Sequence, residues 1–154
     1  MTFLGRFEEV KVLQAQVLAL RSEVLGPKHP DTAKAMAMLG VTYRLLSQWC
    51  EAESIGTQTL KLREEILGTR HPDTIASISD LALAYREQSR YEDAEAMERQ
   101  VLDLRREILG PRHDLTIMEM GNLATTIAAS GRFQEAEPIQ LEALALSREI
   151  LGPC

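Results

Sequence analysis

The chain has few aromatic residues and few cysteines, and both shortages narrow the choice of fold. Phe, Tyr and Trp make up 5% of its 154 residues, so a core must be built mainly from Leu, Ile, Ala and Met. That composition favours packed helices over sheets. The two cysteines, Cys50 and Cys154, are too few for a disulfide scaffold or a structural zinc site. We expect both to be free thiols.

The chain also lacks an excess of basic residues and a long hydrophobic run. Lys and Arg number 17 against 23 for Asp and Glu, a formal net charge of −6, which is the opposite of a nucleic-acid-binding pattern. No segment approaches the roughly 20 apolar residues of a membrane-spanning helix, and the N-terminus has no signal-peptide pattern. These features predict a cytoplasmic protein that binds neither nucleic acid nor a membrane.

A 42-residue repeat organises the sequence. Leu-Gly, a histidine and an aromatic residue all recur at this period, which is typical of repeat arrays. The Leu-Gly pairs begin at Leu25, Leu67, Leu109 and Leu151, the histidines are His29, His71 and His113, and the aromatics are Phe7, Trp49, Tyr91 and Phe133. The predicted division is a partial repeat at 1–26, which supplies a second helix only, and full repeats at 27–68, 69–110 and 111–154.

Each full repeat is predicted to contain two helices. His-Pro-Asp-Thr at 29–32 and again at 71–74 is a helix-start signal, because Pro is tolerated in the first turn and Asp lies near the positive end of the helix dipole. Apolar residues follow at steps of three and four, and each second helix ends at a glycine such as Gly68. We therefore predict an all-α fold, an α-solenoid of about seven helices in antiparallel pairs that forms one domain.

Two departures from the repeat lead to separate expectations. His113-Asp114-Leu115 replaces His-Pro-Asp, so the first helix of the last repeat is expected to be less well defined at its start.

Residues 4–9 correspond to 46–51, so the chain is expected to open at the end of one helix, with its first full helix at 6–25. The last helix, 134–151, has no polar capping helix after it. We interpret the chain as a piece of a longer array or as one that self-associates through its open ends.

Leu39, Gly40, Tyr43, Trp49 and Ala52 together resemble the pattern of the tetratricopeptide repeat. The Leu-Gly-x-x-His-Pro-Asp-Thr segment is similar to the 42-residue version found in kinesin light chains and in the arrays behind NB-ARC modules of NLR-type signalling proteins. The resemblance implies a scaffold that binds a peptide or protein partner and carries no cofactor.

The kinesin light chain pattern places an Asn before the Leu, where it bonds the backbone of a bound peptide. The equivalent positions here are Met38, Asp80 and Asn122. Only one of the three matches, which favours the signalling arrays over a kinesin-type cargo adaptor.

Residues that suggest catalysis or metal binding have simpler explanations. His29 with Asp31 fits a helix start, and ligands separated by a solenoid repeat do not converge on one point. Trp49 belongs to a periodic aromatic series, which favours packing over ligand stacking. Arg105 and Arg106 are expected on a solvated face. Because Cys50 has no arranged base, we predict that the protein is not an enzyme and holds no metal.

The resemblance also implies that the first helix of each repeat lines a concave groove. The outward positions there mix small residues with a few basic ones, which predicts a mildly basic groove for an acidic segment. The alternative is that these positions merely tolerate solvent. The predicted groove residues are Lys34, Ala37, Val41, Arg44, Ala76, Ser79, Asp80, Leu83, Arg86, Met118, Gly121, Asn122, Thr125 and Ala128.

Overall fold

The computed structural model describes residues 2–152, and within that range it contains seven helices and no strand. The predicted all-α class and the number of helices are therefore confirmed. The thiol predicted at Cys154 lies outside the described residues, whereas Cys50 is free and exposed. The helices are α1 (Phe3–Val24), α2 (Pro30–Leu45), α3 (Trp49–Leu67), α4 (Pro72–Glu87), α5 (Tyr91–Leu109), α6 (Asp114–Ala129) and α7 (Phe133–Leu151).

A histidine side chain caps the start of α2, α4 and α6. Nδ1 of His29 accepts a hydrogen bond from the backbone N–H of Asp31 at 3.1 Å, and His71 and His113 make the same bond to the residue two positions later. The expectation of a poorly defined start for α6 is wrong. The missing Pro only presets φ, whereas the histidine that satisfies the exposed N–H group is retained.

The link between the two helices of a repeat turns through a left-handed residue. Ser47 has φ 58°, Ser89 has φ 62° and Gly131 has φ 91°, and these three positions are 42 residues apart. Each second helix is followed by a glycine with positive φ, as the sequence predicts. The predicted end of each second helix at a glycine is thus confirmed.

The N-terminal helix begins earlier than predicted. α1 starts at Phe3 and continues without the break expected at 4–6, and the hydroxyl of Thr2 caps it by accepting from the N–H of Gly5 at 3.3 Å. In the link before α3, Gln48 N–H instead donates to the carbonyl of Tyr43, in the helix before it. Residues 4–6, which are equivalent to 46–48 in that link, are helical instead.

The helices form two compact units, Met1–Gln88 and Ser89–Cys154. In the first unit α2 packs against α1, α3 and α4, and in the second α6 packs against α5 and α7. The boundary lies inside the predicted repeat 69–110, and the division into repeats stays a prediction. Where α2 meets α3, a Cβ on Gly40 would lie 3.1 Å from Cγ2 of Ile55, so the two helices approach closely at this glycine.

A buried arginine on α3 and another on α5 each join their helix to the first two turns of the helix that follows. Arg63 of α3 donates to the carbonyl of Asp73 at 3.0 Å and to Oγ of Ser77 at 2.8 Å. Arg105 of α5 donates to the carbonyl of Leu115 at 3.3 Å and forms an ion pair with Glu119 at 3.0 Å. The prediction that Arg105 is solvated is wrong, because its side chain is only 7% exposed.

The recurring aromatics contribute less to packing than predicted. Phe7, Trp49 and Tyr91 are half-buried, but Phe133 is 69% exposed. The second unit is instead centred on aliphatic side chains from α6 and α7, including Met120, which is fully buried. The core is therefore aliphatic, as the composition predicts.

Candidate functional site

The faces of α2 and α4 form a cleft above α3 in the first unit. Its volume is about 30 Å³, which leaves room for a few water molecules or a small side chain. Most of the surface that lines it is apolar. The lining residues are Met36, Ala37, Gly40, Val41 and Arg44 from α2, Ala52, Gly56 and Thr59 from α3, and Ser77, Asp80, Leu81 and Ala84 from α4.

Four of the predicted groove residues lie together at this cleft: Ala37, Val41 and Arg44 on α2, and Asp80 on α4. The three residues on α2 share one side of that helix because steps of three and four residues follow one face of a helix. Asp80 is one of the positions at which the kinesin light chain pattern has Asn, and it is exposed.

The other predicted residues on α2 and α4 lie outside the cleft lining. Lys34 is exposed, and Ala76, Leu83 and Arg86 are half-buried. Ser79 is only 7% exposed, and its place in the groove stays a prediction. The position follows the step of three from Ala76, but it turns into the packed side of α4.

The predicted residues of α6 belong to the second unit. Met118 is 51% exposed and lines a separate depression with Ile117 and Ile150. Gly121 and Asn122 are half-buried, and Thr125 is exposed. The Oγ1 of Thr125 donates to the carbonyl of Gly121 within the same helix.

The basic charge at the cleft is paired. A guanidinium nitrogen of Arg44 lies 2.9 Å from Oε1 of Glu87, and the two side chains are 21% and 32% exposed. Partial burial strengthens this pair relative to a fully solvated one. The sequence prediction of free positive charge in the groove therefore needs a correction at Arg44, because a ligand carboxylate must compete with Glu87 for it.

Gly56 and Ala84 also line the cleft, although neither is among the predicted groove residues. A Cβ on Gly56 would lie 3.2 Å from Cδ1 of Leu81, so even one added carbon enters this space. A signal was present in the sequence. The equivalent positions of the neighbouring repeats hold the larger polar side chains of Gln14 with Thr42 and of Glu98 with Thr126.

No arrangement for metal binding occurs in residues 2–152, where no three His, Cys, Asp or Glu side chains come together. None of the described helices is both long and apolar enough to cross a membrane. The histidines that the sequence offers as metal ligands each use Nδ1 to cap a helix.

Several solved structures are similar to this chain, and three of them are as follows. Two are crystal structures of nearly identical TPR-like repeats from a Podosopora anserina protein named as a kinesin light chain. They are 25% identical, have TM-scores of 0.83 and 0.80, and cover 96% and 95% of this chain and 69% of their own. The third is BtubC (BKLC) from P. vanneervenii, with 18% identity, a TM-score of 0.86, and coverage of 97% of this chain and 60% of that one. At that identity the likeness shows the fold alone.

Sequence comparison identifies the family. No curated protein sequence matches, but models described as tetratricopeptide repeat match residues 2–65, 39–107 and 118–153. Such repeats generally serve as non-catalytic scaffolds that bind protein partners. Because the matched segments cover most of its length, the chain belongs to the tetratricopeptide repeat family.

Proposed function

We propose that this chain is a non-catalytic interaction scaffold that holds an acidic protein segment against the face formed by α2 and α4. The observation that carries the proposal is the cleft at which Ala37, Val41, Arg44 and Asp80 lie together. Small side chains there leave room for the side chains of a bound segment, and a concave, mainly apolar surface with a few polar groups is typical of binding sites.

We infer the charge of the segment from the two basic side chains on this side of α2. Arg44 forms an ion pair with Glu87 at the cleft, and Lys34 is exposed about three turns earlier on the same helix. A carboxylate of the segment would replace that of Glu87 on Arg44 and keep the guanidinium paired. Glu87 then competes with the carboxylate of an acidic ligand for Arg44 and so weakens the binding of that ligand.

Selection from a random peptide display library tests this proposal. We expect acidic peptides to be enriched on the wild-type chain. Arg44→Gln should weaken their binding by about tenfold, since it removes a charge-assisted hydrogen bond. Glu87→Gln should strengthen the same binding by a similar factor, because it removes the competitor. Isothermal titration with one selected peptide measures both effects.

Arg99→Gln is the matched control, because Arg99 forms an ion pair with Glu95 at 2.8 Å on α5 and does not line the cleft. This variant should bind the selected peptide as the wild type does. The proposal fails if the enriched peptides are not acidic, or if Arg44→Gln and Arg99→Gln bind them equally well.

The setting of the array within a larger protein has two candidates. One is a signalling protein in which the array senses a partner for an NB-ARC module, which the mismatches at Met38 and Asp80 favour. The other is a cargo adaptor, which the likeness to the Podosopora anserina repeats supports. Coding sequence adjoining the array distinguishes them, because an NB-ARC module excludes the adaptor and a coiled coil favours it.

Self-association through the first and the last helix, α1 and α7, is a second candidate function. Exposed apolar side chains on α1 and on α7 support it, among them Leu13 at 59% and Leu141 at 58%. Light scattering over a concentration series separates it from a monomeric binder.

A further inference from the structure

The cleft between α2 and α4 contains a gap where two side chains of the repeat are missing. Gly56 of α3 and Ala84 of α4 line it. The equivalent positions elsewhere hold hydrogen-bonded pairs between neighbouring helices, Gln14 with Thr42 and Glu98 with Thr126. Leu81 takes up part of the missing volume, because its Cδ1 lies 3.2 Å from a Cβ built on Gly56. We call the space that remains beside Gly56 and Ala84 the gap.

The size of the gap limits which side chain can enter it. The cleft has a volume of about 30 Å³. A single water molecule needs roughly 10 to 15 Å³ of such space, so the cleft takes on the order of two or three groups of that size. This corresponds to the side chain of valine. Leucine and the aromatic side chains are larger, and they would have to move the walls.

Hydrogen bonds beneath the surface hold those walls in place. Oγ of Ser77, a residue that is 4% exposed, accepts from Arg63 at 2.8 Å and donates to the carbonyl of Asp73 at 3.2 Å. Thr59 is 2% exposed and donates to the carbonyl of Ile55 at 2.6 Å. A wall that is packed and bonded in this way resists the shift that a larger side chain requires. We therefore expect the gap to discriminate by size.

The same bonds make the gap unfavourable for a polar side chain. The hydroxyl hydrogens of Thr59 and Ser77 are both used within the protein. An oxygen atom brought into the gap would lose its bonds to water and find no hydroxyl donor there. Apart from Asp80, the remaining lining residues of α3 and α4 are Ala52, Gly56, Leu81 and Ala84. An aliphatic side chain is thus favoured.

The position of Arg44 relates this aliphatic side chain to the acidic one. Gly40 lies against Ile55, the neighbour of Gly56, and Arg44 follows Gly40 by about one helical turn, or about 5.4 Å. An extended segment advances about 3.3 Å per residue. The residue that enters the gap and the residue that meets Arg44 are therefore about two positions apart in the bound segment.

We propose that the cleft recognises its partner segment by an aliphatic side chain of the size of valine, which enters the gap beside Gly56 and Ala84. The inference rests on the proposed function, because it takes the cleft between α2 and α4 as the binding site. It adds the side chain that the site selects. That side chain supplies the atoms that a bonded pair of side chains supplies between the other helices.

Position scanning of a peptide selected on the wild-type chain tests the proposal, whether or not that peptide is acidic. Each residue of the peptide is replaced in turn by glycine, valine and leucine, and isothermal titration measures the dissociation constants. At one position we expect valine to bind at least about tenfold more tightly than glycine, since it buries a whole side chain. Leucine there should bind about tenfold more weakly than valine, because it does not fit.

Thr59→Ala relates that preference to the cleft. It removes a methyl group and a hydroxyl group from the lining, so leucine should then bind within about threefold of valine. Thr57→Ala is the matched control. The hydroxyl of Thr57 donates to the carbonyl of Glu53 at 2.9 Å on the same helix, but this residue is exposed and does not line the cleft. The control should keep the tenfold difference.

A peptide in which no position prefers valine to both glycine and leucine would overturn the proposal. So would a preference that Thr59→Ala and Thr57→Ala change equally, and so would a failure to select any peptide that binds. Arg44→Gln tests the charge of the segment separately. A valine preference in a peptide that is insensitive to Arg44→Gln contradicts the acidic segment and supports the aliphatic side chain, whereas an Arg44-dependent peptide without a size preference does the reverse.

Discussion

Thr42 donates a hydrogen bond from its hydroxyl to Oε1 of Gln14 at 2.6 Å, which connects α2 to α1. Thr126 makes the equivalent bond to Glu98 at 2.9 Å between α6 and α5. Between α4 and α3 the same two positions hold Ala84 and Gly56, and there the cleft opens. The candidate site thus lies where the repeat omits a polar pair that it uses elsewhere.

Restoring that pair should close the site. We expect Gly56→Gln with Ala84→Thr to raise the free energy of unfolding by about 1 to 2 kcal/mol, because a glycine leaves a helix interior and a hydrogen bond forms. The same change should weaken binding of a display-selected peptide at least about tenfold, since the side chains fill the cleft. Urea denaturation and isothermal titration measure the two effects.

Gly121→Ala provides the control. It also removes a glycine from a helix interior, but its added Cβ meets nothing within 4 Å and Gly121 does not line the cleft, so stability should rise while peptide binding persists. Undiminished binding by the double variant would show that the cleft does not take part.

The residues with positive φ before α3, α5 and α7 allow a test of backbone strain. Introducing a glycine there should stabilise the fold, and removing one should destabilise it. Ser47 and Ser89 have positive φ, a conformation that is unfavourable for residues other than glycine. We expect Ser47→Gly to stabilise the chain by about 0.5 to 1 kcal/mol and Gly131→Ala to destabilise it by about 1 to 2 kcal/mol. A Cβ on Gly131 would meet nothing within 4 Å, so the second effect is conformational. Equal effects of both substitutions on thermal unfolding would contradict this account.

Much of the fold could be predicted from the sequence, because each helix boundary depends on a local signal. Glycine after α3 and the His-Pro pair before α2 set the backbone within a few residues. The start of α1 does not follow the analogy with Trp49. Residues 4–6 are helical, whereas the equivalent residues before α3 form a link in which Gln48 N–H donates to the carbonyl of Tyr43.

The site was predicted less completely, because its properties depend on pairs of side chains. Helical spacing placed Ala37, Val41 and Arg44 on one face, but it could not show that Glu87 neutralises Arg44 across the helices. It also placed Arg105 on a solvated face, although the next helix buries it beside Glu119.

Removing either of the two buried arginines, Arg105 and Arg63, should destabilise the chain, but to different extents. Arg105→Ala removes the ion-pair partner of Glu119, whose side chain is 0% exposed, whereas Arg63→Ala leaves the neutral hydroxyl of Ser77. We expect the first variant to lose about 3 to 5 kcal/mol in unfolding free energy and the second about 1 to 3 kcal/mol. Chemical denaturation of both variants measures the difference.

Glu119→Ser is the control, because it keeps Arg105 and gives it a serine partner, as Arg63 has in Ser77. It should be less destabilising than Arg105→Ala. If Arg105→Ala costs no more than Arg63→Ala, the ion pair does not contribute as described.

The carboxylate of Glu95 on α5 should make the free energy of unfolding depend on pH in the acidic range. Burial raises the pKa of Glu95, but hydrogen bonds from Arg132 and Arg99 and their charges outweigh this effect and lower it below its ordinary value of 4.5. Stability from such a group is present above the unfolded-state pKa and is lost as pH falls through the folded-state pKa. Unfolding free energy should therefore decrease with acidification below the ordinary value, and Glu95→Gln should reduce this decrease.

Urea titrations at a series of pH values measure the slope. Glu92→Gln controls for the loss of one negative charge, because Glu92 lies in the same surface depression. The account is contradicted if Glu95→Gln leaves the pH dependence of wild-type unfolding unchanged.

Amide chemical-shift mapping with a display-selected acidic peptide tests the central claim most directly. The account predicts that the largest changes fall on residues 34–44 of α2 and 77–87 of α4, and that Arg44→Gln diminishes them at the same peptide concentration. Changes confined to α1, α5 or α7, with the α2 and α4 signals unmoved, would contradict the account.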